Sequence, residues 1–136
     1  MDIISVKTDF KTIKIMELYY LEKRNDMEEK KQILEEFVAE MEKVFETSLK
    51  KIILYGSYAR GDYKINSDMD IMILTSLSDS EIKELEKKVY DIAFEYELMH
   101  DVMISVNIKN EEHFNYWLGA LPYYDNVNKE GIVLAG

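Results

Sequence analysis

The sequence has no cysteine, a single proline and only five glycines in 136 residues. Without thiols there is neither a disulfide nor a thiolate metal site, which accords with a reducing compartment. With so little Pro and Gly and a hydrophobic fraction of 47%, the composition is that of a globular domain and not of a disordered segment. Long apolar runs are also missing. The opening MDIISVKTDFKTIKI is no signal peptide, and nothing approaches the roughly 20 apolar residues that span a bilayer, so no membrane association and a cytoplasmic location are expected. Basic residues fall short as well: 17 Lys and Arg against 27 Asp and Glu give a formal net charge of −10. Phosphate-backbone binding needs clustered Lys and Arg, and basic residues run no longer than pairs such as Lys30-Lys31, which carboxylates dilute on both sides. General nucleic-acid binding is therefore not expected. A small anionic substrate fits if a divalent metal brings positive charge with it.

What is present reads as alternating helices and strands. Residues 1–25 are the least legible, an arm or a weak helix from about Asp9 to Lys23 that places Phe10, Ile13, Met16 and Tyr20 near one face. Asp26-Met27-Glu28-Glu29 has the form of a helix-capping signal. After it Ile33, Leu34, Phe37, Val38, Met41, Val44 and Phe45 recur at helical spacing, which predicts a core helix and a domain over residues 26–136. Residues 51–55, 68–74 and 101–108 read as strands. Ser78-Asp79-Ser80-Glu81 opens a helix between the second and third of them, and further helices are expected over about 110–121 and from Pro122 to Gly131. This order predicts an α/β (α+β) domain, a small mixed sheet flanked by helices.

The chemistry is concentrated in Leu54-Tyr55-Gly56-Ser57-Tyr58-Ala59-Arg60-Gly61-Asp62 and in Asn66-Ser67-Asp68-Met69-Asp70-Ile71-Met72-Ile73. A strand ending in Gly56-Ser57 and turning into a short helix makes a corner suited to phosphate, because glycine permits close approach and a helix start offers unpaired N–H groups. On the second strand alternate side chains share a face, so Asp68 and Asp70 point together while Met69, Ile71 and Ile73 pack behind them. Two carboxylates about 4 Å apart repel by roughly 4 kcal/mol at an effective dielectric near 20. No neighbouring Lys or Arg in sequence offsets both. Mg²⁺ would, since it prefers such oxygens together with substrate phosphates. The third strand places Asp101, Met103, Ser105 and Asn107 on one face, so Asp101 is a candidate to join the pair.

Gly-Ser, ten residues, then Asp-x-Asp resembles the signature of the minimal nucleotidyltransferases, a branch of the DNA polymerase beta superfamily. The tail from Leu121 to Leu134 is similar to the end of stand-alone members, so the resemblance covers much of the chain from about residue 30 onward. It implies the nucleotidyltransferase fold, two Mg²⁺ ions on Asp68 and Asp70, a third carboxylate matched to Asp101, and Gly56 and Ser57 on the phosphates of ATP. Asp68, Asp70 and Asp101 are thereby the catalytic candidates, with Arg60 beside Gly56 and Ser57 as a further phosphate contact. Many small members act as antitoxins, transferring AMP from ATP to a tyrosine of a helical HEPN toxin. Others are adenylyltransferases of small molecules such as antibiotics, which usually carry an extra helical domain. The chain leaves no length for such a domain, so a protein acceptor or a partner-completed site is expected. A non-catalytic toxin-binding module is the alternative from another class.

Plainer readings stand beside these. Gly56 to Asp70 can be a surface turn and an acidic strand, and Asp101 a strand-edge carboxylate or a cap. Arg60 can be solvated or paired with Asp62. His100 and Asp101, adjacent on a strand, would point to opposite faces and form no dyad. His113 and Trp117, four apart on a helix, pack together. The tyrosines, Tyr19, Tyr20, Tyr123 and Tyr124 among them, read as core edge or interface.

Overall fold

The computed structural model describes residues 10–136, and side chains from residue 13 onward, so the expected helix start at Asp9 and the side chain of Phe10 lie outside the described residues. The first element is a single 36-residue helix, α1 (Phe10–Phe45). It runs through Asp26 instead of beginning there, which corrects the capping signal read from the sequence. Between Leu21 and Met27 no Gly or Pro interrupts a run rich in good helix formers, and Asp26 forms an i,i+4 ion pair with Lys30 at 3.8 Å. The chain divides into two compact units, Met1–Glu35 and Glu36–Gly136. In the first, the residues of the helix from Ile13 to Glu29 are all exposed.

The second unit follows α1 with one 3₁₀ turn (Glu46–Ser48) and then β1 (Leu49–Tyr55), α2 (Ser57–Arg60), β2 (Met69–Thr75), α3 (Asp79–His100), β3 (Ile104–Asn110), α4 (Glu111–Tyr116), α5 (Pro122–Glu130) and β4 (Ile132–Ala135). The sheet order is β3-β2-β1-β4. β1 is antiparallel to both β2 and β4, while β2 and β3 are parallel, as the helical crossover between them allows. This is the mixed sheet flanked by helices that the pattern of elements predicts. Strand β2 is buried along its length except at Asp70, which is half-buried. Met72 and Leu74 share a core with Ile53, Phe114, Tyr124 and Val127. Phe37, Met41 and Phe45 of α1 and Ile82, Val89 and Ala93 of α3 are buried too, with Phe37 edge-on to Tyr96 at 5.6 Å between centroids.

The capping box expected at Ser78 is made: the Glu81 N–H donates to Ser78 Oγ at 3.3 Å and the Ser78 N–H to Glu81 Oε1 at 3.2 Å. Some boundaries differ from expectation by more than two residues. α3 runs on to His100, so the third strand starts at Ile104 and not at Asp101. α4 stops at Tyr116, because Gly119 adopts φ 87° and its N–H donates to Asp125 Oδ1 at 2.7 Å. β4 was not foreseen. Its connection from α5 is tight: a side chain at Gly131 would run into Ile53 Cγ2 and the Val127 carbonyl. Among the described residues no helix is long and apolar enough to cross a membrane.

Candidate active site

β1 delivers the corner. Its last residue, Tyr55, pairs with Asp70 across the antiparallel ladder, and Gly56 then turns the chain with φ 72° and ψ −153° into α2. That conformation already favours glycine. A second constraint is steric: a Cβ on Gly56 would meet Asp70 Oδ2 and lie 3.2 Å from its Cγ. The glycine anticipated as room for a ligand is thus first of all room for the Asp70 carboxylate. The first bonds of α2 run from Arg60 N–H to the Gly56 carbonyl at 3.1 Å and from Gly61 N–H to the Ser57 carbonyl at 2.9 Å. The N–H groups of Ser57, Tyr58 and Ala59 precede them at the open end of the turn.

Asp68 and Asp70 reach the same edge from the start of β2. Met69, Ile71 and Ile73 are fully buried on the other face, as strand alternation requires. Both carboxylates are half-buried. Partial burial, then the charge of Asp68, pushes the Asp70 carboxyl above its ordinary range, and the nearby charge of Arg60 counters only part of this. The pair is therefore close and incompletely neutralised. Arg60 divides itself between Asp62 and Glu130, each at 3.3 Å, so the pairing with Asp62 read from the sequence is present.

Asp101 does not join the two. It is the C-cap of α3 in a left-handed conformation, φ 52°, with its N–H donating to the Glu97 carbonyl at 3.0 Å, and its side chain is exposed. The register puts Ser105 opposite Asp70, and Asn107 opposite Met72. Among the described residues no group of three or more His, Asp or Glu side chains is gathered as metal ligands. The expectation failed because α3 runs on to His100, Asp101 caps it, and the strand starts only at Ile104.

Sequence reasoning missed a second set of residues beside the corner. Tyr55, Gly56, Arg60, Tyr123, Asn126, Val127 and Glu130 line an open cleft of about 260 Å³. Behind it Tyr55 Oη and Tyr123 Oη lie 2.6 Å apart, and the Asn107 amide donates to them at 2.8 and 3.2 Å. Burial, and then the bond with Tyr55, raises the Tyr123 phenol well above its usual range, so it stays neutral. Tyr124, by contrast, is a core residue against Phe114, 4.8 Å between centroids. The available signal was position: Tyr55 immediately precedes Gly56, and Asn107 alternates onto the face of Asp70. His100 and His113 take no part. His100 lies against Tyr96 and His113 is edge-on to Trp117, 6.4 Å between centroids.

Comparison with known proteins bears on this arrangement. Residues 31–132 match the family described as Nucleotidyltransferase domain. Two proteins of Methanocaldococcus jannaschii, both provisionally named protein adenylyltransferases, are similar. MJ0604 is 37% identical over 108 residues, 79% of this chain and 99% of that protein. MJ0141 is 39% identical over 74 residues, 54% of this chain and 73% of that protein. Solved structures of a toxin–antitoxin pair, one a mutant of MntA-HpeT and one with AMP-PNP, align with TM-scores of 0.47 and identities of 19% and 21%, over 75% of this chain and 73% of theirs. The family match runs through the Gly56-Ser57 corner and the Asp68–Asp70 strand, and MJ0604 is matched over nearly its whole length. The chain belongs to the nucleotidyltransferase domain family, and it is a nucleotidyltransferase.

Proposed function

We propose that this protein transfers AMP from ATP to a hydroxyl of a partner protein, with Mg²⁺ held by Asp68 and Asp70. One observation carries the metal reading: two half-buried carboxylates at the start of one strand, with Asp70 packed against a turn that favours glycine and raised by burial and then by the charge of Asp68. Two carboxylate ligands with the rest of the shell left to water and phosphate suit Mg²⁺ better than a closed all-protein cage would. When bound, the metal supplies charge neutralisation at the triphosphate and at the departing pyrophosphate. The N–H groups around Gly56 and Ser57 hold the outer phosphates. Arg60, whose charge already reaches Asp70, adds positive charge at the rim of the cleft. The acceptor hydroxyl attacks the α-phosphorus, a new P–O bond forms, and pyrophosphate leaves on the opposite side.

The protein acceptor is supported by the names of the two Methanocaldococcus relatives and by the openness of the cleft, which a partner surface can enter. The resemblance at Gly56 to Asp70 makes that partner a helical HEPN-type toxin and the acceptor a tyrosine. The test is incubation with labelled ATP, Mg²⁺ and the product of any adjacent gene for a helical protein, read by intact mass. Mass gain in steps of one AMP, absent with EDTA and with Asp68→Asn, is expected. Modification of an antibiotic-sized hydroxyl compound at ordinary rates, with none on the protein, would overturn the reading.

A further inference from the structure

The N-terminal half of α1 is an anomaly for a surface helix. Ile13, Met16, Tyr20 and Met27 are 45%, 49%, 64% and 57% exposed, and at 100° per residue they fall on one side of the helix. With Lys23 they occupy the a and d positions of a seam: Ile13, Tyr20 and Met27 at a, Met16 and Lys23 at d. Ile15, Leu18 and Leu21 point elsewhere and lie outside this seam.

We infer that this stripe is the surface on which two copies of the chain pair as an antiparallel helical dimer. Charge favours a second copy as the occupant. The chain carries −10, yet from Phe10 to Glu35 six basic residues meet six acidic ones, so this is a stretch on which two copies approach without net repulsion. The seam also complements itself in one orientation. Packed in parallel, equivalent positions meet and Lys23 lies on Lys23. Packed antiparallel, a positions face d positions: Met16 meets the second copy's Met27, and Tyr20 receives its Lys23 as a cation over an aromatic ring. Lys23 already takes such a position within the chain, 5.1 Å from the Tyr19 centroid. Glu17 and Arg24 flank the seam on one side, at the positions whose side chains meet their own kind across an antiparallel interface. Glu17 of each copy thereby faces Arg24 of the other, and the two-fold axis makes this pair twice.

Sedimentation velocity of the full chain, from micromolar to several hundred micromolar, should show a species of twice 16.1 kDa that Met16→Asp abolishes while far-UV circular dichroism is retained. Glu17→Arg and Arg24→Glu should each weaken the dimer at least about fivefold, since two exposed ion pairs are lost together, and the double exchange should restore it. Seven residues apart on one helix, these side chains cannot rescue each other within a chain. Orientation is read with single cysteines in the cysteine-free chain: under oxidation, Met16→Cys and Met27→Cys should cross-link when mixed and not separately. A mass of one copy at every concentration would overturn the proposal, as would no restoration in the double exchange or cross-linking of each variant with itself.

Discussion

A methyl group at Gly56 would sit in a turn that holds φ at 72° and would take the space of the Asp70 carboxylate. Gly56→Ala should therefore cost about 1–3 kcal/mol of stability in urea unfolding and, by displacing Asp70, lower transfer by more than the loss of folded protein explains. The acidic pair gives the opposite sign. Asp70 titrates above its ordinary range in the folded protein, so its ionised form costs stability above that raised pKa, and the cost vanishes as pH falls through it. Without metal, Asp70→Asn should melt at a higher temperature than the native protein at neutral pH, with the gap closing in acid. Both Asp68→Asn and Asp70→Asn should lose turnover, and retained activity in the two would remove the metal assignment. Asp101 is a control of a different kind. Asparagine accepts the left-handed cap conformation as readily as aspartate, and the carboxylate stands apart from the pair, so Asp101→Asn should change the transfer rate less than about threefold. A loss of several orders of magnitude would place Asp101 back among the catalytic groups.

Asp26 shows why local signals mislead at the scale of an element. An acceptor with Glu three residues on is a capping pattern, but a cap needs the chain before it to leave the helix, and Leu21 to Asn25 has no reason to do so. As an N-cap, Asp26 replaced by Ala would cost about 1 kcal/mol. As a helix-interior residue paired with Lys30 it should cost within about 0.5 kcal/mol, with helicity by circular dichroism unchanged. The long strands and helices of the second unit were legible because burial stamps a period on them: Met69, Ile71 and Ile73 alternate, and Ile82, Val89 and Ala93 recur on one face of α3. The proposed site residues Gly56, Ser57, Asp68 and Asp70 stand out in the sequence for a related reason, since they interrupt an otherwise apolar pattern. β4 was not legible, being four residues long with Ile132 and Val133 half exposed. Nor was the end of α3, where Leu98 and Met99 continue the helix with exposed side chains after its buried stripe has stopped. The Tyr55–Tyr123–Asn107 contact joins three elements far apart in sequence, and no local pattern announces it.

At the scale of the whole molecule the strongest feature is the charge of −10. The ATP of the proposed reaction would bring further negative charge to a corner whose own side chains include Asp68, Asp70, Asp62 and Glu130, with Arg60 engaged by the last two. Under the proposed function substrate binding should therefore depend on cations, and so should recognition of the acceptor: a partner with a basic face would be drawn to this surface and an acidic one repelled. Such steering acts mainly on the rate of encounter and is screened within about 10 Å at 0.1 M salt. The expectation is that AMP transfer to the proposed acceptor protein slows as NaCl rises from about 0.05 to 0.5 M through kcat/KM, with kcat itself little changed. Mg²⁺ is held saturating throughout, so that loss of metal is not mistaken for loss of encounter. A neutral hydroxyl compound offered as the acceptor instead would show no such dependence, because it has no charge for the field to act on. A salt-independent kcat/KM toward the protein would mean that its docking does not use the acidic surface, and the basic-faced partner would have to be abandoned even if AMP transfer itself were observed.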